Sequence, residues 1–449
     1  MRAGTKLLAG GQIRTRHDRL RHLLCCAAAL CLPAASADAL IINFIDEGGV
    51  MNSSAESVFE IAASYWESIL TNDVTVTIGV ELTSLEGRLL GASYTTQMVY
   101  SVADWVAGVN DTRSDSTLDQ TLVLPTLSDE GGASFIATGT NAAGGNDATV
   151  LDYIEGDTVS STALNLNTAT VKAIGGAADY SSGNVDEIDA SIVFNANAHF
   201  DYDASDGITE GSIDLLAVAI HEIGHALGFS SGVDTMDAAA EPGGGSDGYD
   251  YNDTEIYSAL DLFRYSDDPT DVVAGDGAIL DVSVGTASYF SIDGGETALY
   301  DNGFSTGTSN GDGRQASHWK DSYDCDELGL MNPTQCVGTQ GVVTALDIAA
   351  MDAIGWNTSI DALAEADYAV STREIYRSFA TAVPEPQIWA MLLAGFSMVG
   401  GALRRRRGGV VASSRQTRAD FSVVGSIVSA GVGSVAGRSA LAPQPPRAR

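Results

Sequence analysis

Positive charge is scarce in this sequence. Its 449 residues include 23 Lys and Arg against 59 Asp and Glu, a formal net charge of −36. Residues 1–37 hold six bases and one acid, and 384–449 hold nine bases and two acids. That leaves eight bases against 56 acids, or −48, for 38–383. A surface of that sign repels phosphate backbones, which excludes nucleic acid as a partner. Histidine is scarce too, at six, and cysteine scarcer, at five. No internal repeat is visible in 40–375. What is present suffices for a core: 45% hydrophobic and 18% charged residues exclude wholesale disorder, and 49 glycines predict a loop-rich fold with many turns. The length is too great for one ordinary domain and too small for three.

The N-terminus reads as a secretory signal over 1–37. Arg14, Arg16, Arg19 and Arg21 form a basic region, Leu23 to Leu32 an apolar run, and Ala35-Ser36-Ala37 a small-residue cleavage site. Cys25, Cys26 and Cys31 leave with that segment. Cys325 and Cys336 remain, and an exported chain with two cysteines predicts one disulfide; two unpaired thiols are the plainer alternative.

Residues 38–375 read as one α+β domain. Ala55 to Leu70 has Phe59, Ala62, Ala63, Trp66 and Ile69 at helical spacing, and Val74 to Val80 alternates as a strand. Ala190 to Phe194 is a second strand. Ser212 to Leu227 is an apolar helix broken by Gly228. Tyr289 to Tyr300 reads as a hairpin around Asp293-Gly294-Gly295, and Thr344 to Asp347 as a capping box opening a helix through Ile354. The acidic groups Asp201, Asp203, Asp206 and Asp247, Asp250, Asp253 offer oxygen ligands for Ca²⁺. Neither matches a calcium-loop spacing, so solvated loops are the plainer reading.

The segment that carries chemistry is His221-Glu222-Ile223-Gly224-His225. Histidines four apart on a helix share a face and can reach one cation, while Glu222 is displaced around the helix, where it can meet a water instead. A Zn²⁺ held there acidifies water and polarises a carbonyl, and the carboxylate takes the proton. A third ligand is needed. Ser231, a poor one, stands six residues after His225, where the extended metzincin motif has a histidine. Asp234 and His318 are the candidates.

Around His318 run Ser317-His318-Trp319-Lys320, then Asp326 to Pro333 with Met331, then Val343 to Gly355-Trp356. This resembles the leishmanolysin-like branch of the metzincin metallopeptidases, in which a long insertion delays a His-Trp pair, followed by a methionine turn and a closing helix ending in Gly-Trp. The resemblance implies a metzincin-like α+β fold: a twisted mixed sheet, an active-site helix and a loop-rich C-terminal subdomain ending in a helix, with 229–317 as the insertion. It implies Zn²⁺ on His221, His225 and His318, Glu222 as general base, and Met331 as the floor beneath the metal. Asp234 stays open as the alternative third ligand. With no cysteine between the leader and Cys325, a thiol that caps the zinc in a zymogen is excluded.

Past a linker at 376–383, Pro384-Glu385-Pro386 precedes the sixteen-residue apolar run Ile388 to Leu403 and the bases Arg404 to Arg407. This is similar to the PEP-CTERM sorting signal of Gram-negative bacteria. The resemblance implies transient membrane anchoring through 384–407 and processing by an exosortase-type enzyme at the cell surface. Residues 408–449, Ser/Gly/Val/Arg-rich, read as an unstructured tail that departs from the pattern. The expectation is an exported zinc endopeptidase acting on protein or peptide substrates. The alternative is an acidic surface or biofilm-matrix binding protein with a structural or vestigial metal site, and hydrolysis of a non-peptide amide would share the chemistry.

Overall fold

The strands that read as alternating β-branched runs assemble into one mixed sheet in the computed structural model, which describes residues 39–181, 187–240, 251–267 and 278–380. The expected leader 1–37, the sorting segment 384–407, the tail 408–449 and Asp247 and Asp250 lie outside those residues. The chain divides into two units, Met1–Val383 and Pro384–Arg449, and every described residue belongs to the first. No helix among the described residues is long and apolar enough to cross a membrane.

Strands β1 (Ile41–Gly48), β2 (Thr75–Thr83), β3 (Gly91–Thr95) and β4 (Ala190–Asn195) line up in the order β1-β2-β4-β3. β1 with β2 and β2 with β4 run parallel, whereas β3 pairs antiparallel to β4, with Gly91 opposite Phe194 and Thr95 opposite Ala190. Val76, Ile78 and Val80 of β2 and Ala190, Ile192 and Phe194 of β4 are buried, the period-2 pattern of a sheet with a covered face. The covers are helices α1 (Glu56–Ile69) and α2 (Leu215–Ala226). The Phe59 ring of α1 packs 4.5 Å from that of Phe194.

α2 is buried almost all round, so its ends must be satisfied from inside the protein. It starts three residues later than its periodicity suggests. Ile213–Asp214 first pairs with Phe200–Asp201, and Asp214 then caps the helix by accepting the Ala217 N–H at 3.1 Å. The same carboxylate accepts from Gly341 N–H and Thr372 Oγ1, tying two later segments to the helix start. Indole N–H groups meet carbonyls along it: Trp66 to Ile220 at 3.0 Å and Trp356 to Leu227 at 2.8 Å.

The C-terminal part is rich in loops and carries α3 (Ala345–Ala353) and α4 (Thr372–Phe379). α3 opens with the expected capping box. α4 runs across residue 375 and takes in 376–379 of the expected linker 376–383. Ser371 and Glu374 form its capping box, Ile375 is buried, and Arg373 and Arg377 donate to the Ser205 carbonyl. Tyr289 to Tyr300 is not a hairpin. Tyr289–Phe290 pairs instead with Arg264 and Tyr265, and the Asn302 side chain takes both main-chain groups of Phe290 at 2.7 and 2.8 Å, the contacts a second strand would have made. Cys325 and Cys336 are joined, with Cα atoms 6.0 Å apart.

Candidate metal centre

His221 and His225 project from the last turns of α2, where the chain must turn back at once. Gly228 makes that turn at φ 124°, a conformation that disfavours any side chain, and a Cβ there would collide with Thr170. The reversal returns the Phe229 carbonyl to His225 Nδ1 at 2.6 Å. His221 Nδ1 donates to the Leu330 carbonyl at 2.8 Å, and His318 Nδ1 to that of Gln315 at 3.2 Å. Carbonyls only accept, so all three rings carry their proton on Nδ1 and present a bare Nε2.

Those three Nε2 atoms face one another at 3.0 Å (His221–His225), 3.2 Å (His225–His318) and 3.3 Å (His221–His318). With every Nδ1 protonated there is no proton left to bridge them. A second proton on a ring is disfavoured: burial holds His221 down to about 4, His225 to about 3 and His318 well below the usual histidine range. Three converging lone pairs repel unless a cation sits among them. A tetrahedral ion bound by nitrogens at about 2.0–2.1 Å needs them about 3.3 Å apart, so the donor set fits Zn²⁺ in both kind and spacing. It is the only cluster of three or more His, Cys, Asp or Glu with such spacing among the described residues.

The other expected residues have partners of their own. Glu222 is 6% exposed, and its carboxylate lies against Gly91 of β3, where an added Cβ would come 2.8 Å from Oε1. Burial pushes its carboxyl up to about 8. Met331 packs its sulfur on Gly224, the residue before His225, where an added Cβ would sit 2.7 Å from Sδ. Asp234 is outside the cluster; its carboxylate accepts the N–H groups of Ala316 and Ser317 at 2.5 and 3.1 Å. Ser231 donates to Asp261 at 2.5 Å. His199, the remaining described histidine, meets the Gly211 carbonyl through Nδ1 at 3.2 Å. Asp201 and Asp203 bind N–H groups of their own loop.

No known family, curated protein or solved structure matches the chain. The site's chemistry therefore stands on its geometry and on the residues.

Sequence reasoning missed Asp347. Read only as the third residue of a capping box, it is 1% exposed and gathers donors from both sides of the site. It accepts N–H groups of Leu330 (2.8 Å), Met331 (3.1 Å) and Thr344 (2.8 Å), and the Trp319 indole N–H at 2.8 Å. Leu330 supplies the carbonyl that orients His221, and Trp319 follows His318. One carboxylate thus braces two ligand arms. A visible hint was its position seventeen residues after Leu330 in an otherwise apolar helix start, but spacing alone does not identify such a brace.

Proposed function

We propose that the chain is an exported zinc-dependent endopeptidase of metzincin type. The observation that carries this reading is the convergence of three bare Nε2 atoms, 3.0–3.3 Å apart, with the buried Glu222 on the same helix directly after His221. His221, His225 and His318 would hold the ion. When bound, Zn²⁺ supplies Lewis acidity: it makes water a nucleophile near neutral pH and polarises the scissile carbonyl.

The chain's own residues do the rest. Glu222, whose buried carboxyl has an elevated proton affinity, takes the proton from the attacking water and returns it to the leaving amine. The carbonyls of Leu330, Phe229 and Gln315 hold the rings in the ligating tautomer. β3 is paired on one side only, to β4, among the described residues. An extended peptide can pair along its other edge, which brings a substrate backbone past Gly91 and the Glu222 carboxylate. The acidic surface, the leader and the C-terminal sorting pattern agree with work outside the cytoplasm at a Gram-negative cell surface.

Glu222→Gln keeps the shape and the three imidazoles but removes the base. Zinc content by metal analysis should stay at one per chain, while casein or gelatin cleavage falls by about 10²–10⁴-fold. Cleavage retained by that variant would refute the assignment. Zinc bound by the wild-type chain, with no cleavage of any peptide, would favour the surface-binding alternative.

A further inference from the structure

The excursion between His225 and His318 closes on a buried polar hub. Arg264 is 1% exposed, although 38–383 contain only eight bases. Its Nη2 donates to the Ala316 carbonyl at 2.6 Å. Its Nη1 donates to Ser288 Oγ at 2.5 Å and to the Ser305 carbonyl at 3.2 Å, and the guanidinium lies 4.3 Å over the Phe304 ring. Asp261 sits 4.0 Å from its Nε and gathers the start of the excursion: Ser231 Oγ at 2.5 Å and the Gly232 N–H at 2.8 Å. Asp234 gathers the end, through the N–H groups of Ala316 and Ser317.

The peptide units just before His318 are therefore gripped from two sides, a carbonyl by a cation and two N–H groups by an anion. Gln315, the next residue back, provides the carbonyl that orients the His318 ring. A span of about 90 residues would otherwise leave its far end poorly located, because loop closure alone sets only a distance and no orientation.

We propose that Asp234 and Arg264 are positioning residues of the metal centre, which fix the 315–317 backbone and thereby deliver the third imidazole. This rests on reading the histidine cluster as a cation site. The carboxylate that sequence spacing offers as a ligand acts one step back, on the backbone that carries the ligand.

The test uses the full chain with Zn²⁺, read by competition with a chromophoric chelator, and with Co²⁺, read by its visible absorption. Wild type is compared with His318→Ala, Asp234→Ala, Asp234→Asn and Arg264→Lys, and far-UV circular dichroism checks the fold. Asp234→Ala should bind Zn²⁺ about 10–100-fold more weakly, with its Co²⁺ spectrum moved toward that of His318→Ala. Asp234→Asn, which keeps one acceptor oxygen, should fall between, and it carries the test if the alanine variant does not fold. Arg264→Lys keeps the charge but loses the planar fork and should shift the same way. Wild-type affinity and spectrum in a folded Asp234 variant overturn the proposal. If His318→Ala also binds like wild type, the three-histidine reading itself fails; if His318→Ala weakens binding and the Asp234 variants do not, only the positioning role fails.

Discussion

The two arms of the site are built by different means. On the helix arm, residues 215–228, one turn of α2 sets the separation of His221 and His225, and neighbouring side chains only keep the helix in place. On the excursion arm, 229–318, no regular element among the described residues spans the distance, and buried charges bind the main-chain groups that lead into His318. The helix arm is local and apolar; the excursion arm is non-local, and its end is held by buried charges as well as by the packing of Trp319 on Phe229, Phe290 and Phe304. A polar arrangement of this kind is directional but costly to disturb, because each donor left unmet inside the protein loses its water as well.

Asp347 offers the hardest way to break that contrast, since it serves both arms at once. Replacing it by alanine strands the N–H groups of Leu330 and Met331 and the Trp319 indole in a water-poor interior. At ~1–3 kcal/mol for each group that cannot find water, Asp347→Ala should cost about 3–5 kcal/mol. Urea unfolding measures this. The loss should come with weaker zinc binding, because the Leu330 carbonyl and Trp319 both move. A stability loss below about 1 kcal/mol would mean that the arms are braced separately.

The same contrast decides what could be read before the structure. Helices α1, α2 and α3 and the caps at Thr344 and Gly228 are local: apolar spacing and terminal residues specify them within a few positions. The HExxH pair belongs to this class. Of the four strands, β2 and β4 are legible as extended runs and β1 and β3 are not; the strand order is not legible either, and the antiparallel edge position of β3 beside Glu222 follows from long-range pairing. The expected hairpin at 289–300 failed because a side chain, that of Asn302, does the work of a strand, which no alternation pattern reports. His318 was reachable only through the resemblance of its His-Trp context. Asp234 shows the limit most clearly. A carboxylate near two histidines in sequence looks the same whether it will bind a cation or a pair of N–H groups.

The contact between the arms can be sharpened at Gly224, where Met331 of the far segment rests on α2. An alanine Cβ would lie 2.7 Å from Sδ and 3.2 Å from Cε. The methionine is flexible and can yield, and alanine favours helix by ~1 kcal/mol over glycine, which offsets part of an overpacking cost of ~1–3 kcal/mol. Gly224→Ala should therefore destabilise by about 1 kcal/mol. In a double-mutant cycle with Met331→Ala, the second substitution opens the space the first one needs, so the pair should cost less than the sum of the two singles. Strict additivity would show that Met331 does not bear on α2 in solution.

The smallest effect concerns Glu327, in the disulfide-closed loop that leads to Met331. Its carboxyl is pushed up to about 7, first by burial and then by the negative charges of Asp321 and Asp347. A group whose folded-state value stands above its ordinary 4.5 holds its proton more tightly when folded. Its contribution to stability is fully present below about 4.5 and is lost as pH rises through about 7. Arg314, 2.8 Å from Asp321, already neutralises one of the two neighbours, and Glu327 is partly open to solvent, so the penalty is modest. Glu327→Gln removes the titration while keeping the volume. Its melting temperature should match wild type at pH 4.5 and exceed it at pH 8, with the gap opening between those values. A gap of the opposite sign, or one independent of pH, would show that the ionised carboxylate is better solvated than its setting among Asp321 and Asp347 implies, and that this loop is not strained by charge on the way to the site.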